Sequence, residues 1–132
     1  MSVGVRVLEN SGELPQFRLV LLHDAEGKAL ALLPATSLLN LVAIWKQTGR
    51  QLQPVKGDDA KRYFGQDALK YPDGQAKLLS LTLFVSPESM QQEQLEIIEP
   101  HSGLSFVAIA EQLKAGSSCN LALTVDQIAA IQ

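Results

Sequence analysis

The chain is short of several things that proteins use for chemistry. It has one cysteine, Cys119, in 132 residues. A single thiol excludes an internal disulfide and fits a reducing compartment. With no second cysteine or histidine beside it in the sequence, Cys119 reads as a small buried residue rather than a reactive group. There are two histidines, His23 and His101, far apart, and with Cys119 they show no metal-ligand spacing. Nine glycines are scattered, none in phosphate-loop form. No apolar run approaches the roughly 20 residues of a membrane span. The opening MSVGVRVLEN has no basic segment followed by an apolar one, so no secretory signal is expected. These absences together point to a cytoplasmic protein.

What the chain has is apolar surface: 46% of its residues are hydrophobic, enough for one domain with a sizeable core. The net charge of -3 argues against generic affinity for nucleic acid. The charge is uneven, however. Between Lys46 and Lys77 seven cations face four aspartates, which leaves +3 there and -6 on the rest. Such a basic middle can meet phosphates, although a solvated mixed-charge surface is the ordinary use of it.

The pattern centres on Phe17 to Gly57. Two apolar runs, Phe17–Leu22 and Ala29–Leu33, flank His23-Asp24-Ala25-Glu26-Gly27 and read as a β-hairpin. Their near-continuous apolar character predicts strands buried on both faces. Thr36 or Ser37 is positioned to cap a helix over about Leu38–Thr48, with Trp45 on its apolar side and Gly49 as the stop. Pro54 marks Arg50–Val55 as an edge. A short helix is expected from Asp58 or Asp59 to Phe64. A loop follows over Gln66–Ala76, where Pro72-Asp73-Gly74 is a turn signal. Strands are expected at Val3–Leu8, Leu78–Val85, Leu95–Ile98 and Leu104–Ile109, the last two joined through Pro100-His101-Ser102-Gly103. Helix is expected over about Ala110–Lys114 and again after the capping box at Thr124. This mixture is an α+β domain: a mixed, curved sheet of about six strands with short helices packed around it.

The hairpin ending in Leu32-Leu33-Pro34-Ala35, the following Leu39-Asn40-Leu41 and the stretch Thr48-Gly49-Arg50-Gln51-Leu52 resemble the YbaK/aminoacyl-tRNA synthetase-associated domain. Leu83-Phe84-Val85, Glu88-Ser89 and Ile97-Ile98-Glu99-Pro100 extend the likeness, which covers roughly residues 3–115. It is similar above all to the branch fused to HDOD signalling domains. The resemblance implies a YbaK-like domain over residues 1–116. Residues 117–132 would be a linker and the start of a helix leading to a following domain. No metal and no cofactor are implied.

Active members of that family are deacylases that hydrolyse the ester of a wrongly charged tRNA. They use a lysine near the start of the hairpin's first strand and a Gly-x-x-Pro loop whose backbone amides hold the carbonyl. This sequence departs at both places. The lysine position falls on Arg18, or on Phe17 in the adjacent register, and an arginine cannot transfer a proton. The loop is Lys70-Tyr71-Pro72-Asp73-Gly74, with one proline and the glycine after it. The resemblance therefore places Arg18 in a catalytic or positioning role. Tyr71, Pro72, Asp73, Gly74, His101 and Gly103 would form the substrate-binding set. The implied function is a degenerate editing-like domain, a regulatory module that binds a ligand, tRNA or a protein. An active deacylase of mischarged tRNA is the alternative. The family's N-terminal helix is absent from the pattern, and the apolar surface left bare implies a homodimer.

Overall fold

The structure, a computed structural model, describes residues 14–86 and 91–111, with Ser89, Leu113 and the pair Ala129–Ala130. Strands Gln16–Asp24 (β1) and Gly27–Pro34 (β2) form the expected antiparallel hairpin, in register from Phe17 opposite Pro34 to Asp24 opposite Gly27. At its tip Asp24 Oδ1 accepts the amides of Glu26 and Gly27 at 2.8 and 3.2 Å. The same carboxylate receives Arg50 Nε and Nη2 at 2.8 and 2.7 Å. Arg50 directly follows Gly49, whose left-handed backbone (φ 76°) ends the helix Leu41–Thr48 (α1). One ion pair thus pins the hairpin tip to the end of α1. The Arg50 hydrogen bonds hold the Asp24 carboxyl down at about 2.

The chain continues through Leu38–Leu39 (β3), α1, Gln53–Pro54 (β4), Gly57–Phe64 (α2), a short 3-10 helix at Asp67–Lys70 and Pro72–Leu79 (α3). Thr82–Val85 (β5), Gln94–Glu99 (β6) and Leu104–Ile109 (β7) complete the main sheet. Among the described residues that sheet has six strands, ordered β5-β2-β1-β6-β7, with β4 also paired to β1 and no pairing between β5 and β7. β2 with β5 and β1 with β6 are parallel; the hairpin partners are antiparallel.

β1 and β2 are covered on both faces. Phe17, Leu19, Leu21, Leu30 and Leu32 face a core closed by Ala60 and Phe64 of α2 and Leu78 and Leu79 of α3. Leu22, Ala29, Ala31 and Leu33 face the other way, against Ile44 of α1 and Leu52. Period-2 alternation with both phases apolar is what produced the unbroken hydrophobic runs.

Several boundaries differ from expectation. The cap of α1 is Asn40, whose Oδ1 accepts the Ala43 amide at 3.1 Å, rather than Thr36 or Ser37. Leu38 and Leu39 leave the helix for β3, so Ala43 and Ile44 become its buried residues and Trp45 stays 46% exposed. The loop expected over Gln66–Ala76 is instead the 3-10 helix followed by α3, with Pro72 in the first turn of α3. Gly74 is there for contact: a Cβ at that position would lie 1.9 Å from the Ala68 carbonyl oxygen. Helix α3 also takes Leu78 and Leu79 from the expected strand, which begins only at Thr82.

The strand expected at Val3–Leu8 lies outside the described residues. Of the tail expected as helix from Thr124, the described pair Ala129–Ala130 is a strand (β8), antiparallel to β3. A short run of alanines accepts either state, and pairing with β3 decides it.

Two outcomes are expected. Gly74→Ala forces α3 off the 3-10 helix and lowers unfolding stability by about 2 kcal/mol in urea titration. Asp24 is held below its ordinary 3.8, so its contribution is complete above about pH 4 and is lost as pH falls towards 2. Acid titration of the wild type then loses stability in that window, and Asp24→Asn lacks this component of the loss.

Candidate functional site

The outer edge of β1 is shared by two partners. Gln16, Phe17 and Arg18 pair with Glu96, Ile97 and Ile98 of β6, whereas Leu22 and His23 pair with Pro54 and Gln53 of β4. Between the two contacts the Leu21 carbonyl accepts the Val55 amide at 2.9 Å. The neighbours diverge across Leu19–Leu21 and leave a cleft of about 270 Å³. Its walls are mainly apolar, including Leu38 and Leu39 of β3, Pro54, Val55 and Ala60. Among the described residues three polar ones line it: Arg18, Glu99 and His101.

Glu99 closes the β6–β7 turn and is 2% exposed. Its Oε2 accepts the His101 amide at 3.2 Å and pairs with the ring Nδ1 at 2.9 Å. Its Oε1 accepts the Ser102 amide at 2.8 Å and hydroxyl at 2.7 Å. In the neutral ring, a carboxylate on Nδ1 selects the tautomer that donates there and leaves Nε2 as the acceptor. The ring lies over the start of α2, where a Cβ on Gly57 would come 3.1 Å from His101 Cδ2. Gly103, with φ 79°, carries the chain out of the turn. Arg18 reaches away from this cluster and donates from Nη2 to the Ser37 carbonyl at 2.7 Å.

The structure therefore brings Arg18 and His101 to one cleft. Gly103 sits behind the same turn, in a separate depression of about 440 Å³ with Gly65, Lys70 and Gln75. Tyr71, Pro72, Asp73 and Gly74 do not line the cleft: they run from the cap of α3 into its first turn, and Tyr71 is exposed. Glu99 was missed as a polar site residue. An acid at the end of an apolar strand followed by Pro-His-Ser-Gly was the available signal, because only a buried turn needs that many acceptors. A larger, more open depression of about 700 Å³ borders Gln16, Pro34, Glu96 and Val107. Its one carboxylate, Glu96, is already bonded by Gln16 and Ser105. Among the described residues no group of His, Cys, Asp and Glu is placed to hold a metal. No described helix is long and apolar enough to cross a membrane.

No protein-family model matches this chain, and no curated protein does. Solved structures do match in fold. The chain is similar to a "Putative signal transduction protein" from Marinobacter aquaeolei VT8, with 22% identity and a TM-score of 0.55 over 76% of this chain. It spans only 23% of that protein's length. A second likeness is to a structure from computational epitope grafting onto scaffold proteins (13% identity, TM-score 0.54, 81% of this chain and 69% of the other). A third is to a hypothetical protein (10%, 0.58, 90% and 77%). At these identities the likeness shows a shared fold.

Glu99→Ala strands the donors of His101 and Ser102 and is expected to cost about 2 kcal/mol of stability in chemical denaturation. Ring-nitrogen NMR should then show His101 losing its preference for a protonated Nδ1.

Proposed function

We propose that the chain is a ligand-binding regulatory module built on an editing-like scaffold, and that the cleft beside β1 takes an aminoacyl-type ligand without turning it over. One observation carries this reading: Arg18 and His101, expected from the sequence to belong to a site, line the same part-enclosed apolar cleft. Clefts of this kind, apolar with a few convergent polar groups, are where small ligands bind. Next to it, sharing Val55, a groove carries His23, Lys28 and Lys56 beside one acid, Asp59, a surface whose two lysines can meet the phosphates of a tRNA end.

The missing chemistry supports binding over catalysis. Arginine cannot take a proton at neutral pH, and among the described residues no lysine, serine, threonine or cysteine lines the cleft. The Asp73 and Gly74 amides lie in α3 and do not line the cleft. The signalling link, with an attached HDOD domain and self-association, belongs to the same proposal. The name of the Marinobacter protein is in keeping with it.

One observation favours the second reading, an active deacylase. Glu99 orients His101 so that Nε2 is available as a general base for water.

The deciding experiment pairs a deacylation assay, on alanyl- and cysteinyl-tRNA for proline, with titration of a 3′-aminoacylamino-adenosine that cannot be hydrolysed. Saturable binding without turnover, lost in Arg18→Ala, is the expected result. Turnover that disappears in His101→Ala establishes the deacylase instead. Neither binding nor turnover in the folded chain removes both readings.

A further inference from the structure

Arg18 is a part-buried cation lining the cleft. The Ser37 carbonyl takes a bond from one of its amino groups, and a guanidinium has five N–H donors. Among the described residues no carboxylate lies within ion-pair distance of it; the ion pairs there join other groups. The nearest candidate by location, Glu99, is committed to His101 and Ser102. A charge withdrawn from water into apolar surroundings without a partner is costly. Arg18, partly withdrawn from water, lines a cleft walled by Leu39, Pro54 and Val55.

We infer that the cleft also takes a small monocarboxylate with an apolar body, the free-acid counterpart of the aminoacyl-type ligand named under the proposed function. This inference rests on that reading of the cleft. A carboxylate meets the planar fork of Arg18 with two parallel hydrogen bonds. The apolar body lies against Leu39, Pro54 and Val55. The volume, about 270 Å³, is that of about nine waters and suits a compact acid. Shape selects against phosphate, which has no apolar body to lie against Leu39, Pro54 and Val55.

The test titrates the full chain with valerate, with its neutral isostere valeramide and with inorganic phosphate, followed by amide NMR and calorimetry. Valerate should saturate, with shifts centred on Arg18, Val55 and His101. Valeramide should bind at least about tenfold more weakly, the loss of one charge-assisted contact. Phosphate should not displace valerate. Arg18→Gln, checked for native circular dichroism, should show the same tenfold loss, and Arg18→Lys a smaller one. Should Arg18→Gln fail to fold, the comparison of acid and amide on the wild type decides alone. Equal binding of valerate and valeramide overturns the inference, as does displacement by phosphate. If valerate fails while the aminoacylamino-adenosine still binds, the carboxylate inference falls and the ligand site stands. If both fail, both fall.

Discussion

The structure depends on how β1 satisfies its two backbone edges. One edge is spent on β2 along its whole length, in a hairpin locked at the tip by Asp24 and Arg50. The other must also be paired, because buried amides and carbonyls left alone are costly. It is paired by two elements running in opposite senses, β6 parallel at Gln16–Arg18 and β4 antiparallel at Leu22–His23. Two strands of opposite direction cannot merge into one, so they separate where they meet. The cleft is this separation, and its floor is as well anchored as any strand in the sheet. Helices α1 and α2–α3 then cover the two faces, which fixes the depth of the opening without filling it.

The likeness to known structures, at 10–22% identity, concerns this sheet and says nothing about the groups lining the cleft. What distinguishes the chain is local. A cation that cannot act as a base stands on β1, and a carboxylate is used up in holding a turn. A proline-glycine segment has been recruited into helix packing.

Much of the fold was legible because hydrophobic alternation and turn chemistry act locally. The hairpin, the stop at Gly49, the edge at Pro54 and the pair β6–β7 all follow from residues within a few positions of one another. The misses occurred where long-range contact overrides local preference. Trp45 fits the core stripe of a helix begun at Leu38. Once Asn40 caps α1 and Leu38 joins β8, that stripe turns outward. Pro72-Asp73-Gly74 is a turn signal by composition, yet Gly74 is required by the Ala68 carbonyl, a neighbour that composition does not reveal. At the candidate site, Arg18 and His101 were named by the family resemblance. Their meeting depends on the forked edge of β1, and Glu99 counts as a site residue only once it is seen to be buried.

The Glu99 turn has a consequence for the entropy of recognition. Sites built on loops commonly lose affinity because the loop must be ordered when the ligand arrives. Here the four bonds to one carboxylate, with the Gly103 amide on the Glu99 carbonyl, have already fixed the rim residue His101 during folding. A small molecule entering the cleft would find this rim already ordered, so that even a few contacts could register as affinity.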